Sequence, residues 1–530
     1  MPKNQTNAAW DTLLDLDAQP AGPLHDRLRR ALRSAIVSGR IAAGSALPPS
    51  RTLAADLGCS RWVVTEAYAQ LAAEGYLEAR AGSATRVRAG VAGPATGARR
   101  GVVGPPTGAR PGARNAPTGV WPDVVGSPTE ASARASTTGA GPVGSPAEGR
   151  RGVGGPPSTR LASPSAHARF DFTPGMPDLR AFPRKRWADA VREAGRQSPF
   201  TDLGYLEHAG HQRLRETLAG YLTRSRGAAI AAEDLTVCAG TTDGLARIAR
   251  ALREHGHTHL AVEDPGWTWT REAVVDAGLV AVPIGVDGDG LRVDLLRDQP
   301  WIRAAIVAPA HQFPTGTVLA PARRAELIRW AHDVDGILLE EDKDADYRYD
   351  RRPVAAIQGM APSRTALLGS VSKTLSPALR IGWFATPPRW TPAVAVANPL
   401  ALPPPVLDQL AFAWFLDDGG YDRHLRACRR RYRARRDALV GELARRLPGA
   451  RVSGAAAGLH LLLHLDGVRA TEVVAAAARD GVSVDAVGNY TSEAGAGDST
   501  LILGYGNLAD SVVAEAVSRL ADAIERANLP

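Results

Sequence analysis

Lys373, in the segment Ser370-Val371-Ser372-Lys373, is one of four lysines in a chain whose Lys and Arg together number 63. The others are Lys3, Lys185 and Lys343. Arginine cannot stand in for lysine where chemistry needs a free amine, because a guanidinium does not deprotonate in proteins. A chain that otherwise prefers arginine, yet keeps lysine just after the apolar run Ala366-Leu367-Leu368, has a candidate nucleophilic amine. An isolated Ser-x-x-Lys is ordinarily a surface lysine. The neighbouring motifs decide between that reading and a lysine that holds an aldehyde cofactor as a Schiff base.

Each of those motifs follows a short apolar run. Cys238-Ala239-Gly240-Thr241-Thr242-Asp243-Gly244 follows Leu235-Thr236-Val237 and opens a helix, so free N–H groups and two hydroxyls would make a phosphate cradle. Taken alone, such a small-residue turn is common. Glu263-Asp264-Pro265-Gly266-Trp267 follows His259-Leu260-Ala261-Val262 and brings an aromatic ring able to stack on a flat cofactor, although a lone tryptophan is more often core. Ala308-Pro309-Ala310-His311-Gln312-Phe313-Pro314-Thr315-Gly316 is far harder to meet by chance. Glu340-Glu341-Asp342-Lys343 follows Ile337-Leu338-Leu339, and Lys373 leads on to Arg380.

The elements that must position these groups are strands alternating with longer helical patterns, an α/β body with a largely parallel sheet whose sites lie at the strands' carboxyl ends. The body occupies residues 169–530, divided into a large domain over 169–405 and a smaller α+β subdomain over 406–530. Residues 90–168 are Gly, Pro, Ala, Ser, Thr and Arg with almost no large apolar side chain, a disordered linker with a reach of roughly 50 Å. Residues 1–89 form a small helical head. Leu24, Leu28, Leu32 and Ile36 make one apolar stripe, Gly39 stops that helix, and two further helices meet at Leu57-Gly58-Cys59-Ser60. Tyr76 to Arg80 and Ala84 to Arg88 read as strands around the turn Ala81-Gly82-Ser83.

The formal net charge of +8 sits in the head and linker, which suggests a polyanion partner. Cys59, Cys238 and Cys428 are too few and too scattered for a disulfide framework and fit a reducing, cytoplasmic setting. No apolar run reaches membrane-spanning length, and the first residues have no secretory pattern.

Leu47-Pro48-Pro49-Ser50-Arg51, Gly58-Cys59-Ser60-Arg61 and Glu74-Gly75-Tyr76-Leu77 resemble the winged helix-turn-helix of GntR-type regulators. That resemblance implies that Arg51, Ser60, Arg61 and Thr65 meet double-stranded DNA, with the wing residue Gly82 near the minor groove; the plainer reading is solvated helix-face charges. The body is similar to fold-type-I pyridoxal 5'-phosphate (PLP) enzymes of the aminotransferase superfamily. The resemblance implies Lys373 as the Schiff-base lysine, Thr241, Thr242, Ser370, Ser372 and Arg380 around the phosphate, and Trp267 on the ring. It also implies that Tyr205 reaches the partner subunit's phosphate, hence a homodimer reading paired half-sites. A GntR-type head on such a body is the architecture of the MocR family, and His311-Gln312-Phe313-Pro314-Thr315-Gly316 and Tyr347-Arg348-Tyr349 are close to MocR forms.

Three positions depart from the family pattern. Glu341 stands where an aspartate pairs with the pyridine nitrogen, with Asp342 as the fallback. Lys343 replaces the tyrosine at the cofactor's phenolic oxygen, and could either stabilise that oxygen or turn outward to Asp344 or Asp346. Ile502 takes the place of the arginine that clamps a substrate carboxylate, with Arg271 and Arg351 as substitutes from elsewhere. These departures favour PLP itself as effector, as in MocR regulators of vitamin B6 synthesis, over an amino acid or amine, and leave at most residual transaminase activity. The competing reading is a working aminotransferase with an accessory DNA-binding head. No motif points to a metal.

Overall fold

The computed structural model describes residues 14, 16, 22–38, 40–78, 85–88, 168–205, 207–349, 354–493 and 495–528. The linker, apart from Ala168, lies outside them, as do Gly39, the wing residues around Gly82, and Arg351.

The head is built from α1 (Leu24–Val37), α2 (Ser50–Asp56) and α3 (Arg61–Ala73). Leu28, Leu32 and Ile36 bury the stripe of α1, while Val63, Val64, Ala67, Tyr68 and Leu71 bury one face of α3. Ser60 takes the N-cap position of α3, but its side chain caps nothing. β1 (Leu77–Glu78) and β2 (Arg86–Val87) pair antiparallel, with Leu77 opposite Val87; the rest of the expected strand-turn-strand, residues 79–84, lies outside the described residues.

The body begins at β3 (Phe170–Asp171). The helix α4 (Gln212–Arg226) leads to β4 (Leu235–Cys238), and α5 (Thr241–Glu254) leads to β5 (His259–Asp264). Then follow β6 (Val280–Asp287), β7 (Gly290–Leu291), β8 (Ala304–Val307), β9 (Ile337–Asp342), β10 (Thr365–Ser370) and β11 (Gly382–Ala385). They form one sheet in the order β4-β11-β10-β9-β8-β5-β6-β7. The central strands β10, β9, β8, β5 and β6 run parallel, while β11, β4 and β7 pair antiparallel at the flanks. Continuous apolar runs such as Ala304–Val307, buried at every residue, are what a sheet covered on both faces requires. The sequence reading finds the five strands that carry motifs and misses β6, β7 and β11. β11 carries no site motif at its end, unlike the five strands that the sequence reading finds.

A smaller sheet of β12 (Arg451–Ser453), β13 (His460–His464), β15 (Asp485–Ala486) and β16 (Thr500–Gly504) has the order β12-β13-β16-β15. β14 (Val482–Ser483) pairs with β3, so the first strand of the body belongs by pairing to its last quarter.

The head shares a core with the body. Leu28, Leu53, Leu71 and Tyr76 fall in one apolar cluster with Leu327, Trp330, Ile357 and Met360. Gly75, with φ +85°, sits where a Cβ would lie 3.5 Å from the Met360 methyl and the Pro321 carbonyl. Gly227, left-handed at φ +66° just past α4, packs so closely on the Arg33 guanidinium of α1 that a side chain there has no room.

Candidate functional site

At the carboxyl ends of β4, β5, β8, β9 and β10 lies a cavity with two lobes. The first, of about 220 Å³, is lined by Thr241, Thr242, Ser370, Ser372, Lys373 and Arg380, together with Trp267 and Trp269. Gly240 caps α5 at φ +118° with no side-chain acceptor, so no side chain caps the helix N-terminus beside this lobe. Arg380 closes the lobe: a Cβ on Gly240 would lie 3.9 Å from its guanidinium. Arg380 is itself left-handed at φ +53°, a strained position for a non-glycine residue. A helix N-terminus, four hydroxyls and a guanidinium facing one space suit a phosphate dianion.

The second lobe is a slot of about 30 Å³ lined by Gly175, Glu263, Trp267, Phe313, Glu341, Lys343 and Lys373, together with His311, Asp344 and His460. Trp267 stacks on Phe313 at 3.8 Å and 12°, which covers one indole face. Lys343 Nζ and Lys373 Nζ stand 5.3 and 5.2 Å from the indole centroid on the remaining face. Lys373 donates to the Gly175 carbonyl, and a Cβ on Gly175 would strike both Lys373 and Trp267. Only glycine at 175 keeps the slot open.

Burial sets the electrostatics here. It lowers the Lys373 ammonium to about 8; the nearby Lys343 pushes the same way, while Asp344 and Glu341 oppose it. It raises the Glu263 carboxyl to about 8, with the Glu341 carboxylate adding to the rise. It lowers His460 to about 3, so that imidazole is neutral. His460 Nε2 lies 2.9 Å from the Pro314 carbonyl, which places the ring proton on Nε2. Asp344 stays ionised, because His311, Lys373 and His460 outweigh its burial.

The strand alternation of β9 sorts its carboxylates. Glu341 faces the slot and pairs with Lys343 at 2.5 Å. Lys343 therefore turns inward, and the two alternative partners are engaged elsewhere: Asp344, itself lining the slot, lies 3.4 Å from His311, and Asp346 4.0 Å from Arg429. Glu340 and Asp342 face away. Glu340 accepts from the Ile357 and Gln358 amides. Asp342 takes a bidentate fork from Arg226 at 2.6 and 3.0 Å, so the fallback partner for a ring nitrogen is turned out of the slot by the pleat.

Ile502 on β16 is fully buried in a cluster with Phe313, Leu462, Val487 and Tyr490, against which Trp267 packs. Arg271 pairs with Asp264 at 3.7 Å and lines neither lobe. Arg380, in the phosphate-like lobe, is the only arginine among the described residues lining the cavity. Tyr205 is fully exposed and lines neither lobe of its own chain. The sequence reading passes over Gly175, Glu263 and His460 as site residues. The Pro174-Gly175 step and the carboxylate ending the apolar run of β5 are signals for the first two; nothing local marks His460.

In the head, Arg51, Ser60, Arg61 and Thr65 are all exposed. Arg61 Nε donates to Ser50 Oγ at 3.3 Å, which gathers the starts of α2 and α3 into one basic corner. Thr65 Oγ1 donates back to the Arg61 carbonyl at 3.0 Å.

Comparison with known proteins agrees with both halves. Residues 24–87 match the family model for bacterial regulatory proteins of the gntR family, and residues 175–520 that for class I and II aminotransferases. The chain is 32% identical over 438 residues to a probable rhizopine catabolism regulatory protein, MocR, of Rhizobium meliloti, covering 82% of this chain and 80% of that protein. It is 27% identical over 499 residues to the HTH-type pyridoxine biosynthesis transcriptional regulator PdxR of Corynebacterium glutamicum, covering 94% and 95%. Among solved structures, an archaeal alanine:glyoxylate aminotransferase superposes with a TM-score of 0.63 at 22% identity, over 67% of this chain and 91% of that one. The chain belongs to the MocR family, transcription regulators that join a GntR-type DNA-binding head to a body with the aminotransferase fold.

Proposed function

We propose that this regulator holds PLP on Lys373 and responds to PLP itself, with genes of PLP synthesis as its target. The residues fit that cofactor. A slot kept open by Gly175 adjoins a lobe of hydroxyls and one guanidinium, and a buried amine with its pKa near 8 stands between them. When bound, PLP supplies an aldehyde carbon for the amine and an electron-withdrawing ring. The chain does the rest. Arg380 and the α5 N-terminus would hold the phosphate, Trp267 backed by Phe313 would offer an aromatic face to the ring, and Glu341 and Lys343 would supply charge beside it.

The observation that carries the effector assignment is Ile502. Ile502 is fully buried in an apolar cluster and lines neither lobe, so this position offers no guanidinium to a substrate carboxylate, and an unpaired buried carboxylate is strongly disfavoured. Resemblance to a pyridoxine biosynthesis regulator along nearly the whole length supports the same reading.

Coupling to DNA has a physical route. Glu341 and Lys343 flank Asp342, Asp342 holds Arg226, and the next residue, Gly227, carries the Arg33 guanidinium of the head. A change in the slot that shifts β9 therefore bears on the seat of α1. A homodimer, with the exposed Tyr205 reaching across, would present two such heads to paired half-sites.

Borohydride reduction of the full-length protein after mixing with PLP tests the chemistry. The expected result is one label, at Lys373, and no multiple-turnover keto-acid formation from a panel of amino acids. Rapid turnover would favour the aminotransferase reading, and no label would remove PLP altogether.

A further inference from the structure

Trp62 is the one large apolar side chain that the described residues of the head leave exposed, at 61%. It lies in the first turn of α3, where the other large apolar residues of that helix, Val63, Val64, Tyr68 and Leu71, all face the core. An indole is the largest apolar surface a residue can offer, and exposing one in water brings no gain in stability to the head. Nor does it float: His25 of α1 meets it edge-on, with centroids 5.2 Å apart at 69°. Its position is therefore held by a neighbour while its surface stays open.

The surroundings identify what covers it. Arg61 precedes it, Arg51 and Thr65 are exposed nearby, and no acidic residue stands in the first turn of α3, whose N-terminus is the positive end of the helix dipole. The exposed arginines and the positive helix end favour a polyanion at this corner. In the major groove the apolar group that a base presents is the thymine C5-methyl. We propose that Trp62 is a specificity-determining residue, which packs its indole on thymine methyls in the operator half-site while Arg51 and Arg61 take phosphate and guanine edges.

The test uses the full-length protein. Sites are selected from a random duplex pool, and each thymine of a selected site is then replaced in turn by uracil, which lacks only the methyl. The wild type is expected to lose about threefold to tenfold in affinity at one or two thymine positions of each half-site. Trp62→Ala should bind more weakly and show no difference between thymine and uracil at those positions, with Trp62→Phe in between. Arg61→Ala should weaken thymine and uracil sites alike. Wild-type binding that ignores the methyl at every position, or a Trp62→Ala protein that keeps the same selected sequence and methyl dependence, would overturn the proposal. Because Trp62 is exposed, the Ala variant should melt with the wild type, so a loss of binding reads on DNA contact.

Discussion

The two lobes of the cavity differ in how much chemistry they keep. The phosphate-like lobe assembles every residue expected there: Thr241, Thr242, Ser370, Ser372 and Arg380. The ring slot next to it keeps Lys373 and His311 but departs at Glu341 and Lys343, which pair with each other; Asp342 is held outside it by Arg226, and the clamp position is apolar Ile502. Among the described residues the slot itself offers no arginine to an α-carboxylate, while the neighbouring lobe offers Arg380 to a phosphate. On our reading, that is what a sensor of the cofactor needs.

The largest effect expected is from Lys373→Ala, which should abolish covalent cofactor retention and bleach the visible absorbance that the wild type acquires with PLP. The same variant removes one of the groups that keep the buried Asp344 ionised, so denaturant unfolding is measured beside it to separate loss of the amine from loss of fold.

The outward face of β9 should behave in the opposite way. Arg226→Ala leaves the Asp342 carboxylate buried without its fork and should cost about 3–5 kcal/mol of stability in denaturant unfolding. A loss of cofactor affinity without loss of stability would contradict the assignment of Asp342 to the scaffold. Arg380→Ala, in the phosphate-like lobe, should weaken PLP binding by roughly tenfold to a hundredfold, the worth of charge-assisted hydrogen bonds, measured by spectral titration.

Smaller effects separate the slot's two ammonium groups. The Lys373 pKa is lowered to about 8, so the reactive neutral amine grows as pH rises through that value. Covalent PLP uptake should therefore quicken by roughly tenfold from pH 7 to pH 9 and level off above it. Lys343→Met removes a cation that helps lower that pKa, so uptake at pH 7 should slow by a few-fold, with the pH midpoint moved upward. Uptake that is flat with pH would mean that the amine is not the limiting group.

The sequence makes the strand ends legible because each motif follows a short apolar run, and a parallel sheet gathers such ends in one place. It makes Lys373 legible because lysine is rare here. The fate of Asp342 is hidden, since it depends on the pleat of β9 and on an arginine more than a hundred positions earlier in the chain. His460 comes from the small sheet, and only tertiary folding brings it to the slot. The seat of the head was equally out of reach. A long Gly/Pro linker argues against a rigid lever and for altered head-to-body docking or altered effective concentration on DNA; the contacts between head and body, Gly75 on Pro321 and Gly227 on Arg33, involve glycines whose role is set by what lies against them. Ser60 is a recognisable cap residue by type, yet its side chain caps nothing, which leaves it open to the solvent-facing corner with Arg61.

The central claim is that PLP in the slot changes how the head meets DNA. Operator affinity of the wild type and of Lys373→Ala, each with and without PLP and at several salt concentrations, tests it most directly. The account predicts that PLP shifts the wild-type affinity at every salt and leaves the variant unmoved. Identical wild-type binding curves with and without PLP would contradict it.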